Sequence, residues 1–136
     1  MTEFVSDTKT IPHNDDRIFE MLSNLSNLEK MKDRIPQDKL KDFSFDNDSC
    51  SFSIDTVGKI TFRIAEREPN KLIKFTTVNF PIHLNMWIQL KQVAENDTRL
   101  KLTVRTELNP FIKPMVSKPL QDAVEKISTV LATLPY

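Results

Sequence analysis

From Phe43 to Leu108 the apolar residues fall on every second position, in one run after another. Phe43 and Phe45 open the series; Cys50, Phe52 and Ile54 alternate with Ser51, Ser53 and Asp55. Ile60, Phe62 and Ile64 follow, then Ile73, Phe75 and Thr77. Two longer runs complete it: Leu84, Met86, Ile88 and Leu90, then Leu100, Leu102, Val104, Thr106 and Leu108. Successive side chains of a strand point to opposite faces, so each run has one apolar and one polar side. Strands of this kind joined by short turns form an antiparallel sheet with one buried face and one wet face.

On either side of this block the period lengthens. Phe4 to Thr10 reads as a first strand, stopped by Pro12. Asn14, Asp15 and Asp16 suit an N-cap and an acidic first turn. Ile18, Met21, Leu22, Leu25 and Leu28 then recur at steps of three and four, an apolar stripe on a helix that fades after Met31. Pro36 opens a second, weaker helical turn through Leu40. At the far end Leu120, Val124, Ile127, Leu131 and Leu134 form a stripe widened by Val116, Ala123 and Val130. Asn109 and Pro110 suit a helix start. Pro114 and Pro119 predict a short first helix and a break or kink before a main helix from Pro119 to Leu134.

The turns must agree in parity with the stripes, because directly opposed residues share a face. Asp46-Asn47-Asp48-Ser49 is a polar turn. Glu68-Pro69-Asn70-Lys71 suits a type I turn of two or four loop residues that sets Ile64 opposite Phe75. Around Gly58 the stripes require an odd loop, predicted as three residues with Gly58 at positive φ. Between Val93 and Leu100 they again require an odd loop around Asn96-Asp97, or a bulge.

The predicted order is strand, two short helices, six antiparallel strands and a long C-terminal helix. Together with the phrases Thr10-Ile-Pro-His-Asn-Asp-Asp-Arg-Ile-Phe19 and Glu66-Arg-Glu-Pro-Asn-Lys-Leu72, it resembles the helix-grip (SRPBCC) superfamily. This is the START-like and pollen-allergen-like group, which includes polyketide cyclases and lipid-transfer proteins. The resemblance implies one α+β domain over residues 1–136, a seven-stranded curved sheet wrapped around the last helix. It also implies an apolar cavity between them, holding a lipid, quinone or polyketide-like molecule. Some members catalyse cyclisation or dehydration and others assist chaperones; no shared catalytic residue carries over.

Other classes are excluded. The chain has one glycine, Gly58, where average usage gives roughly nine. Phosphate cradles and dinucleotide folds need several glycines at fixed spacing, so neither a P-loop nor a Rossmann cofactor site is present. Lys plus Arg equals Asp plus Glu at 19 each, which leaves no overall electrostatic footprint for nucleic acid or an anionic membrane. His13 and His83 have no second ligand at metal spacing, so no metal or cofactor is expected. Cys50 has inward parity and reads as a buried, inert thiol. No apolar stretch approaches the ~20 residues that span a bilayer. With no secretory signal and one cysteine, a soluble cytoplasmic protein is expected.

The inward stripe of Phe52, Ile54, Phe62, Ile64, Phe75, Met86, Ile88, Leu102 and Val104 should face Leu120, Val124 and Ile127. These twelve are the candidate ligand-binding residues, and non-catalytic binding or transport of a small hydrophobic ligand is the leading function. A cyclase or dehydratase would need an inward polar group, for which only Thr77, Thr106, Asn79 and Cys50 have the parity. No catalytic residue is assigned. A third function is a protein-interaction module using Trp87, which shares the wet face with Asn85, Gln89 and Lys91. Arg105 or Glu107 should lie near it, as a cross-strand cover or cation–π pair.

Overall fold

The computed structural model describes residues 1–35, 40–54 and 57–136. Eight antiparallel strands form one sheet: β1 (Thr2–Val5), β2 (Lys9–Ile11), β3 (Leu40–Phe45), β4 (Ser49–Ile54), β5 (Gly58–Glu68), β6 (Leu72–Thr77), β7 (Leu84–Ala94) and β8 (Asp97–Thr106). The order across the sheet is β1-β8-β7-β6-β5-β4-β3, with β2 also on β8. Helices α1 (Asp15–Leu22) and α2 (Ser26–Glu29) and a 3-10 turn (Lys32–Arg34) link β2 to β3. Helix α3 (Lys113–Thr133) follows β8 and packs across β8, β1 and β2. This is the expected sheet gripping a long C-terminal helix.

Eight strands replace the expected seven because the first strand is broken. Val5 pairs with Thr103 and Lys9 with Leu100, leaving three residues opposite two. Ser6 fills the gap: its N–H donates to Leu102 O (2.9 Å) and its Oγ accepts the N–H of Leu102 (2.9 Å). The N–H of Asp7 donates to Glu125 Oε1 on α3 (2.9 Å), and Gln121 Nε2 donates to Val5 O (3.1 Å). The break thus turns strand backbone toward the helix, which satisfies polar groups that a continuous ladder would have used.

The first predicted helix is also divided. Ile18, Leu22, Leu25 and Leu28 are buried as one stripe, but α1 stops at Leu22. Asn24 Oδ1 accepts both the N–H (3.2 Å) and the hydroxyl (2.6 Å) of Ser26, a local turn that competes with helix. Asn14 is the N-cap residue without a side-chain cap. Its Oδ1 instead accepts from Gln92 Nε2 (3.1 Å) and the N–H of Asn96 (2.8 Å), while Gln92 Oε1 accepts the N–H of Asp15 (2.9 Å). The helical turn expected from Pro36 lies outside the described residues, and Leu40 begins β3.

No break separates Pro114 from Pro119, contrary to expectation. Pro114 occupies the first turn, where a missing N–H costs nothing. Pro119 lies inside the helix and removes one bond, to the carbonyl of Met115. Met115 is exposed, and the buried stripe of Leu120, Ala123, Val124 and Leu131 holds the helix together. At ~1.5 Å per residue, α3 is about 31 Å long.

Bulges settle the parities. Ile64 does face Phe75, but through a three-residue loop, with Asn70 at φ 65°. A register shift between Ile64 and Glu66 restores the apolar face. Ile54 opposite Gly58 leaves the expected three residues between them, with Gly58 at φ 103°. Ala94 opposite Asp97 leaves only Glu95 and Asn96, with a shift between Gln92 and Ala94.

Candidate apolar ligand site

Between the concave face of the sheet and α3 lies a cavity of about 60 Å³ without polar surface. Phe43 and Phe45 of β3, Cys50 and Phe52 of β4, and Met86 and Ile88 of β7 form its sheet wall. Ile127, Val130, Leu131 and Leu134 close it from the helix side, with Leu28 and Ile35 from the linking segment. A second, smaller void of about 20 Å³ lies beside it, walled by Ile54, Ile60, Phe62, Leu84, Val104, Leu120, Ala123 and Val124. Phe52, Met86 and Ile127 border both. Of these, Met86 is unbranched and has the most rotamer freedom, which makes it the most adaptable partition.

Nine of the twelve sequence-predicted residues line one void or the other. Ile64, Phe75 and Leu102 line neither; they are buried inside the core. The larger void is displaced toward β3 and the end of α3, so it also recruits residues outside the predicted set. Phe43, Phe45 and Cys50 carried a signal, inward parity, and Val130, Leu131 and Leu134 belonged to the helix stripe. Ile35 lies between elements and carried none. The rings form a continuous wall: Phe43 lies 6.0 Å from Phe45 and 5.6 Å from Phe52, which lies 6.0 Å from Phe62. Spacings of this kind add to plain burial.

The cavity is chemically quiet. Burial, reinforced by the nearby Asp46 carboxylate, pushes the Cys50 thiol up to about 12 despite an opposing bond from the Phe62 backbone, so the thiolate is absent near neutrality. Thr77 Oγ1 accepts the N–H of Leu84 (3.1 Å), and Thr106 Oγ1 donates to His83 O (2.7 Å). Asn79 is exposed at φ 50° in the β6–β7 loop. Of the four groups a cyclase would have needed, only Cys50 lines a void, and its thiol is held neutral. His13 packs edge-on to Tyr136 at 6.0 Å, and His83 is exposed. Among the described residues no three His, Cys, Asp or Glu side chains gather as a metal site, and no helix is long and apolar enough to cross a membrane.

On the outer face Trp87 is half-buried. Lys74 Nζ lies 5.5 Å and the Arg105 guanidinium 5.6 Å from its ring centroid, the cation–π cover expected there. Glu3 in turn pairs with Arg105 at 2.5 Å. Trp87 borders an open concavity with Met1, His83, Asn85, Arg105 and Glu107.

No protein-family model matches this sequence, and no curated protein matches it. Solved structures do. A START superfamily protein from Mycobacterium smegmatis aligns over 96% of this chain and 94% of its own, at 12% identity and a TM-score of 0.68. The chain has the START-like helix-grip fold. A norcoclaurine synthase of Thalictrum flavum, solved with dopamine and hydroxybenzaldehyde, aligns over 96% of this chain and 85% of its own, at 11% identity and a TM-score of 0.71. A protein from Chromobacterium violaceum covers 100% of this helix-grip chain and 99% of its own, at 12% identity and a TM-score of 0.64. At such identities the likeness is one of fold.

Proposed function

We propose that this protein binds a small apolar molecule, without catalysis, in the void between the sheet and α3. The observation that carries this is an unfilled space walled wholly by apolar side chains, where protein interiors are normally close-packed. An apolar void of this kind stays dry, since water needs polar partners, and so it favours an apolar guest. Ligand pockets for drug-sized molecules run to ~300 Å³ and more, well above the roughly 60 Å³ here. Even joined, the two voids fall short of the ~150 Å³ that takes up benzene. The occupant is therefore a short-chain compound or the end of a longer lipid, quinone or polyketide-like chain, and a single ring enters only as Met86 changes rotamer and the joined voids widen. A norcoclaurine synthase of the same fold, solved with the single-ring aromatics dopamine and hydroxybenzaldehyde, supports this reading. Unlike those phenolic compounds, the guest here has no polar group to satisfy inside the cavity. Native mass spectrometry of gently purified protein should reveal a reproducible apolar adduct. Clean unliganded protein that also fails to take up added toluene would refute the proposal.

A further inference from the structure

Three of the four large hydrophobic residues most exposed among the described ones lie at one end of the sheet: Met1 (85% exposed), Phe111 (89%) and Met115 (71%). Register places them together, because Thr106 faces both Thr2 and Leu84. The β6–β7 loop, with Phe80, Pro81 and Ile82, and the segment leading from β8 into α3 therefore leave the sheet at the same end. Phe111 is held outward by a pre-organised turn. The N–H of Phe111 donates to Asn109 Oδ1 (2.8 Å), and Asn109 O accepts the N–H groups of Ile112 (3.0 Å) and Lys113 (2.9 Å). Pro110 further fixes the backbone. Met115 follows four residues later and Lys118 three after that, so Phe111, Met115 and Lys118 share one exposed flank of the helix start.

The charge at this tip differs from that of the neutral chain. Between Thr106 and Gln121 stand Lys113 and Lys118 against one acid, Glu107, and the β6–β7 loop carries no acid. The first turn of α3 also lacks the acids that a helix N-terminus favours. We propose that this end docks reversibly on an anionic membrane surface. Phe111 and Met115 enter the boundary between headgroups and acyl chains, and Lys113 and Lys118 meet the anionic headgroups. A protein partner fits less well: a specific interface takes about 800 Å² and roughly 20 residues a side. Two projecting side chains flanked by prolines offer far less, whereas a fluid lipid boundary needs no complementary shape. This inference is independent of what occupies the interior cavity.

Vesicle co-sedimentation tests it with the full chain. Equimolar phosphatidylcholine–phosphatidylserine vesicles should carry down the protein, and phosphatidylcholine alone should carry down much less. Replacing both apolar tips (Phe111→Ser with Met115→Ser) should lower partitioning about tenfold or more, given what burying two such side chains is worth. Lys113→Gln with Lys118→Gln should abolish the preference for phosphatidylserine. All these side chains are exposed, so melting temperatures should stay at the parent value. No sedimentation with either vesicle, or undiminished binding by the serine pair, would overturn the proposal. So would a dimer that the serine pair abolishes while vesicles go unbound.

Discussion

Val130→Ile asks whether the larger void is real. Val130 stands on α3 at the cavity wall, and isoleucine keeps the same preferred χ1 in a helix, so the change adds one methylene and little else. At ~24 cal/mol per Å³, a void of about 60 Å³ costs the fold roughly 1.4 kcal/mol, the ceiling for any filling substitution. One buried methylene is worth about 0.8 kcal/mol, so a gain of roughly 0.5–1 kcal/mol is expected. For a chain of this length that raises the melting temperature by about 2–4 °C. The contrasting change is Val124→Phe, whose neighbouring void is only about 20 Å³. A whole ring overfills it and should cost ~1–3 kcal/mol. Scanning calorimetry of the two variants gives opposite signs. A loss of 1 kcal/mol or more for Val130→Ile would mean that the wall has no room, and the cavity argument would fail.

Three further outcomes follow from the same packing. Leu131→Asp should cost upwards of about 3 kcal/mol in urea unfolding, because it places an unpaired charge among the residues closing the cavity; an unchanged midpoint would mean the helix is misplaced. Cys50, with its thiol held neutral, should resist Ellman's reagent at neutral pH until the protein is unfolded, whereas labelling on mixing would show an accessible thiolate. Asp46 accepts from the N–H (2.8 Å) and hydroxyl (2.7 Å) of Ser49 and the N–H of Asp48 (3.2 Å), which lowers its pKa below 3.8. A lowered carboxylate stabilises the fold above its unfolded pKa and loses that effect as pH falls through the folded one. The stability gap between the parent and Asp46→Ala should therefore be present at neutral pH and close under strong acid; a gap that widened in acid would contradict this.

Most of the fold was legible because period is a local property. The alternation of Phe52, Ile54, Phe62, Ile64, Phe75 and Met86 states which face is buried whatever the strands pair with. Ile64 does lie opposite Phe75, but through a three-residue loop and a bulge rather than the even loop that parity required. The failures lie where a long-range partner outweighs the local signal. Ser6 breaks the first strand because Leu102 and Glu125 accept the consequence, and neither is near in sequence. Pro119 is tolerated at an exposed turn of α3 because Leu120 and Val124 beside it are buried, a tertiary balance no proline rule contains. The site was legible as a face but not as a volume. Parity cannot tell that the void lies toward Phe43, Phe45 and Leu134 and leaves Ile64, Phe75 and Leu102 in solid core. Volume depends on how the curved sheet and the helix diverge, which no single segment encodes.

The central claim is that an apolar guest enters between the sheet and α3. Methyl-resolved NMR during a toluene titration tests it most directly, since the cavity wall carries methyl groups on three sides. Saturable shifts should appear at Met86, Ile88, Ile127 and Leu131, and Val130→Ile should weaken them. Methyl groups far from the cavity, such as those of exposed Val93, should stay still. Shifts confined to the outer surface, or no saturable response at the cavity wall, would contradict the account.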